Sequence, residues 1–220
     1  MLLSREKLAS IIDHTLLQPA ADHAAIRKLC EQARSYSFGH VCVNPRYVAE
    51  ARELVRGSGA GVCSVVGFPS GAGLPEAKAL EARRVVELGA DEVDMVLDIA
   101  ALKNGEENAV REDIAGVVSA CGVPTKVILE TGYLTDDEKR RGCAIAMDAG
   151  AHFVKTSTGF GPGGATVEDV RLMRGVVGER LGVKASGGIR SYDTAKAMIE
   201  AGATRIGTSS GPAIVDGWRH

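Results

Sequence analysis

Eight times along the chain a short apolar run gives way to a longer stretch with helical periodicity. Few folds accept that rhythm. Strands separated by whole helices cannot pair as hairpins, so they run parallel and are joined by crossover helices. The apolar runs lie at residues 11–15, 40–44, 61–67, 92–97, 125–130, 152–156, 183–186 and 204–208. Helical stretches are expected at 22–36, from Pro45 to near Gly57, from Pro75 to Leu88, at 106–120, from Thr135 to Gly150, from Thr166 to near Gly182, from Ser191 to Gly202, and at 212–216. Thr135 with Glu138 makes a capping-box pattern, and prolines open the stretches at 45 and 75. Leu88-Gly89-Ala90, Ala149-Gly150-Ala151 and Ala201-Gly202-Ala203 repeat one way of ending a helix before a strand. Eight such units favour a closed (β/α)8 TIM barrel, with an open doubly wound sheet as the alternative.

The length of 220 residues suits one barrel, a fold that typically takes about 200–250 residues, and no linker breaks the chain, so one domain over 1–220 is expected. A net charge of −2 with no long run of one sign, and an aromatic fraction of only 4%, point away from nucleic acid and from a membrane surface. The five cysteines, Cys30, Cys42, Cys63, Cys121 and Cys143, contain no C-x-x-C pair. With no signal-peptide pattern at the N-terminus, they fit reduced thiols in the cytoplasm. The histidines show no metal-ligand spacing, and His14 reads as a structural histidine.

In a barrel, chemistry gathers at the C-terminal ends of the strands. The polar residues there, or facing inward, are Asp13 and Thr15, Cys42 and Asn44, Asp94, Lys155, and Lys184. Lys155 closes the apolar run at 152–156. There it is either a desolvated amine able to condense with a carbonyl, or an edge-strand lysine that reaches out to water. Lys184 lies on the next strand, and two neighbouring ammonium groups repel, which lowers the pKa of one of them. Asp94 sits among apolar residues and needs a cationic partner. Alone it is equally compatible with a purely structural Asp–Lys pair. Asp13 could likewise serve a turn or cap.

Two small-residue loops carry a second signal. Ser186-Gly187-Gly188-Ile189-Arg190 follows the seventh run and Gly207-Thr208-Ser209-Ser210-Gly211 the eighth, where barrels commonly bind phosphate; ordinary βα turns are the alternative. Gly159, Gly161 and Gly164 fit the spacing of a dinucleotide fingerprint. However, Pro162 removes an amide from that loop, and the next strand ends in Lys184-Ala185-Ser186 where a ribose-binding acid would stand.

Taken together, residues 12–17, 41–45, 91–96, Lys155-Thr156-Ser157-Thr158-Gly159, 184–190 and 207–210 resemble the deoxyribose-phosphate aldolase family. The likeness runs from about residue 11 to residue 211. It implies a barrel enzyme that needs no cofactor or metal and acts on a phosphorylated sugar and acetaldehyde. By motif, Lys155 would be the Schiff-base lysine and Asp94 with Lys184 the proton-relay pair. Gly159, Gly187, Gly188, Gly207, Ser209 and Ser210 would form the phosphate pocket, and Asp13, Thr15 and Cys42 would stand behind the reacting groups. For Cys42, a small buried hydrophobe is the competing reading. Family members are often dimers, which leaves a homodimer open here.

The chain departs from some members in two places. Phe160 stands where they carry a lysine beside the phosphate, and no tyrosine follows Tyr192 where they end on one. A transaldolase-like or ketose-phosphate aldolase, and a phosphate-binding barrel without catalysis, are the rival readings.

Overall fold

The computed structural model describes residues 3–219. Its chain order is α1 (Arg5–Ser10), β1 (Ile12–Leu16), α2 (His23–Tyr36), β2 (His40–Val43), α3 (Val48–Val55), β3 (Gly61–Val66), α4 (Pro75–Glu87), β4 (Glu92–Val96), α5 (Ile99–Lys103) and α6 (Glu107–Cys121). There follow β5 (Thr125–Ile128), α7 (Asp136–Asp148), β6 (Phe153–Lys155), α8 (Val167–Val177), β7 (Gly182–Ser186), α9 (Tyr192–Glu200), β8 (Arg205–Thr208) and α10 (Gly211–Asp216). All strand pairs are parallel, and β1 pairs with β8 as well as β2, so the sheet closes into the expected (β/α)8 barrel. None of the described helices is long and apolar enough to cross a membrane.

Local chemistry explains the element ends. Thr135 accepts from the Glu138 amide while Glu138 accepts from the Thr135 amide, a complete capping box at the start of α7. The recurrent helix endings are Schellman turns. Gly89, Gly150 and Gly202 have φ of 108°, 82° and 114°, and the alanine amide after each bonds back to the carbonyl five residues earlier. Only glycine takes that left-handed turn without a Cβ penalty.

Several boundaries differ from the sequence expectation. The stretch after Pro45 begins as a 3₁₀ turn, Pro45–Tyr47, before α3. The helix capped by Thr166 stops at Val177 rather than near Gly182, because Gly178 adopts φ 53° and ψ −137°, outside helical space. Helices α1 and α5 were not foreseen; at six and five residues they are too short to show a periodic face.

Side chains alternate along each strand, and here the alternation separates two interiors. One set, including Val41, Val62, Val93, Met95, Val127, Val154, Val183 and Ile206, points outward and joins the helices in the main hydrophobic core. The other set points into the barrel, and much of it is charged. Asp13, Asp94, Lys126 and Lys184 are fully buried. Beneath them the Phe153 ring lies 5.8 Å from the Lys126 ammonium and 5.5 Å from the Arg205 guanidinium carbon.

Candidate active site

Strand register fixes the centre of the site. Asp94 is paired with Lys126 across β4 and β5, and Lys155 with Lys184 across β6 and β7. The four side chains converge on one carboxylate. Oδ2 of Asp94 accepts from Nζ of Lys155 at 2.8 Å and of Lys184 at 2.7 Å. Oδ1 accepts from Nζ of Lys126 at 2.8 Å and from the Cys63 thiol at 3.1 Å. Lys184 also donates to Asp13 Oδ2 at 2.5 Å, and Arg205 donates to Asp13 Oδ1 at 2.7 Å. Glu92 completes the cluster, 2.7 Å from Lys126 and 3.1 Å from Arg205.

The electrostatics follow from these contacts. Burial alone would raise the Asp94 carboxyl, but the Lys126, Lys155 and Lys184 ammonium groups outweigh it and hold it well below the usual carboxylate range. Burial would lower Lys184, but Asp13 and Asp94 outweigh it and push its pKa above the ordinary lysine value. Lys126 is raised in the same way, with Asp94, Asp13 and Glu92 among its partners. Of the two lysines on β6 and β7, Lys184 is the one bound by two carboxylates. Lys155 touches a single carboxylate oxygen and is the lysine that lines the cavity above.

That cavity, of about 280 Å³, opens at the C-terminal ends of the strands. Gly159, Gly187, Gly188, Gly207 and Ser209, the expected phosphate-pocket residues, line it, and so does Thr15, which was expected behind the reacting groups. Ser210 does not; its amide is turned to the Thr208 hydroxyl at 2.9 Å. Gly187 and Gly188 adopt φ of 94° and 78°, a backbone that L side chains rarely take. Asp13 lies below the cavity within the ionic cluster. Thr15 donates to the Asp13 carbonyl at 2.8 Å rather than to the carboxylates. Cys42 is fully buried and in register with Thr15 on one side and Cys63 on the other.

Sequence reasoning missed Lys126, Glu92 and Arg205. Lys126 carried the same signal as Lys155, a lysine inside an apolar run, and inward alternation on β5 would have found it. Arg190 was also passed over. It lines the cavity, is exposed, and makes no ion pair among the described residues. Phe160 sits at the rim, edge-on to Phe68 with ring centroids 5.4 Å apart. Near the C-terminus, Arg219 pairs with Asp193 at 2.8 Å, and Tyr192 donates to the Arg219 carbonyl at 3.2 Å.

The protein from Caldanaerobacter subterraneus named deoxyribose-phosphate aldolase is 57% identical over 216 residues, covering 96% of this chain and 94% of its own. The one of the same name from Methanothermobacter thermautotrophicus is 58% identical, covering 98% and 97%. The tetrameric deoxyribose phosphate aldolase structure from Aeropyrum pernix superposes with a TM-score of 0.90 at 37% identity, over 97% of this chain and 91% of that one. Residues 7–217 match the family described as DeoC/LacD family aldolase. A barrel with one lysine facing a cavity, matched to that family over nearly its whole length, belongs with it: the chain is a member of the DeoC/LacD family of aldolases.

Proposed function

We propose that this aldolase works through a Schiff base on Lys155 and reversibly cleaves 2-deoxy-D-ribose 5-phosphate to D-glyceraldehyde 3-phosphate and acetaldehyde. The observation that carries the reading is the shared oxygen. Lys155 and Lys184 both bond Oδ2 of Asp94, yet only Lys155 reaches the cavity. The cluster holds four cations, Lys126, Lys155, Lys184 and Arg205, against the carboxylates Asp13, Glu92 and Asp94. One positive charge is left over in a dry interior. Lys155 has the fewest anionic neighbours, so it is the amine free to add to a carbonyl.

The proton balance then closes within the pair behind it. The Lys155 amine adds to the C1 aldehyde of the open-chain sugar, and Lys184 gives its proton to the carbinolamine hydroxyl, which leaves as water. The resulting iminium is the electron sink. Lys184, now neutral, takes the C3 hydroxyl proton by way of Asp94 and a water as the C2–C3 bond breaks. The same proton passes to the terminal carbon of the enamine; water then adds to the iminium and releases acetaldehyde, its spare proton returning to Lys184 as the Lys155 amine is restored. No step needs a metal.

At the other end of the cavity the glycine-rich turns after β7 and β8 and the guanidinium of Arg190 suit a phosphate. The same names borne by the relatives support this substrate. We further read the chain as one cytoplasmic domain over residues 1–220, in keeping with five free, buried cysteines. Self-association, as in the Aeropyrum pernix relative, belongs to the same reading.

The test is borohydride reduction in the presence of acetaldehyde, followed by peptide mapping. A two-carbon adduct on Lys155 is expected. An adduct on Lys184 or Lys126 would reverse the roles of the lysines, and the absence of any specific adduct would overturn the Schiff-base reading.

A further inference from the structure

Glu130 joins a left-handed backbone to a buried side chain with an oxygen unpartnered among the described residues. It follows β5 and is 2% exposed, yet no cation pairs with its carboxylate among the described residues. Its backbone is left-handed, with φ 56° and ψ 62°, an unfavourable region for any residue with a Cβ. Oε1 has no hydrogen-bond partner among the described residues. Burying a carboxylate that has no cationic partner, on a left-handed backbone, is costly twice over, and such costs collect where a fold is built for function rather than stability.

What the carboxylate does hold is the turn that follows Lys155. Oε2 accepts from the Thr158 amide at 3.1 Å and from the Thr158 hydroxyl. That hydroxyl oxygen in turn accepts from the Phe160 amide at 3.0 Å. Two of the three amides in the turn 158–160 are thereby consumed inside the protein. The third, that of Gly159, has no partner among the described residues, and Gly159 lines the cavity at φ 85°. Gly161 lets the carboxylate come this close: a Cβ there would sit 2.7 Å from the Glu130 carboxyl carbon.

We infer that Glu130 is a positioning residue for substrate recognition, which, through Thr158, turns the Gly159 amide toward the phosphate of the substrate. The inference rests on the phosphate reading given above. Because Phe160 brings no charge to this side of the pocket, the Gly159 amide is what the turn offers an anion, and its direction is set from behind by Glu130.

The experiment compares cleavage of 2-deoxyribose 5-phosphate with that of unphosphorylated 2-deoxyribose in the wild type, Glu130→Ala, Glu130→Gln and Thr158→Val. In Glu130→Ala the ratio of the two kcat/KM values should fall at least tenfold, chiefly through KM of the phosphorylated sugar. Glu130→Gln keeps an acceptor for Thr158 and should recover most of the ratio. Thr158→Val, which cuts the relay in its middle without touching the carboxylate, should lower the ratio like Glu130→Ala and serves if the alanine variant does not fold. Equal losses on both sugars would make Glu130 a purely structural residue and overturn the inference, as would an unchanged ratio in Glu130→Ala and Thr158→Val. A wild type with no preference for the phosphorylated sugar would overturn the phosphate reading itself, and this inference with it.

Discussion

Replacing Asp94 by asparagine would remove the anion on which three buried lysines converge. The carboxylate is fully buried, and the amide that replaces it can accept at one end only, leaving its NH2 facing either Lys126 or the Lys155–Lys184 pair. Breaking a buried ion pair by removing one partner costs about 3–5 kcal/mol. In a chain of this size each kcal/mol moves Tm by about 2–4 °C, so the variant should melt about 6–20 °C below the wild type near neutral pH. Linkage gives the pH dependence a sign. The Asp94 pKa is depressed in the fold, so its contribution is present above the unfolded value of about 4 and is lost as pH falls toward the folded one. The gap between the two proteins should therefore narrow in acid. Lys126 and Lys184 have raised pKa values, so their contribution is full below the unfolded value of about 10.4 and is lost as pH rises through the folded values. Without the anion they share, that alkaline loss should begin at lower pH in the variant. Thermal melts followed by circular dichroism from acid to alkali measure both trends. A variant that melts with the wild type throughout would refute the idea that Asp94 neutralises the cluster.

Lys155→Ala should abolish cleavage together with the borohydride adduct, measured by enzyme-coupled assay and mass spectrometry; turnover by this variant would sink the Schiff-base assignment. Lys184→Leu should lower kcat by about 10²–10⁴-fold, the range for loss of a general acid–base group. Phe160→Lys adds a cation at the pocket rim and should lower KM for the phosphorylated sugar severalfold, with the gain fading as salt is raised.

Much of the barrel could be read from the sequence because its cause is local. Apolar runs, capping residues and the helix–Gly–Ala endings are written within a few residues of one another, and each element settles much as its neighbours in sequence dictate. The candidate reacting groups could be singled out for a different reason: Lys155, Asp94 and Lys184 each stand out within an apolar strand, and the family resemblance supplied their proposed roles. What stayed hidden depends on distance in space. Lys126 is as anomalous as Lys155, but its meaning comes from its register with Asp94 on the neighbouring strand. Glu92 and Arg205 sit at strand starts, where charge is ordinary, and only barrel closure brings them to Lys126 and Asp13. Glu130 looked like the polar end of a strand. Its strain and its hold on Thr158 follow from how two loops meet.

The closure of β8 against β1 has a consequence for how the protein comes to be active. Asp13 lies in the first strand, while its partners Lys184 and Arg205 lie 171 and 192 residues further along. Contacts so distant in sequence carry the largest loop-closure cost and form late in folding. An unclosed intermediate leaves Lys184 without Asp13 and Arg205 without its anchor, so the charges around Asp94 are balanced only once the last strand has found the first. Catalytic competence is thus a property of the finished ring.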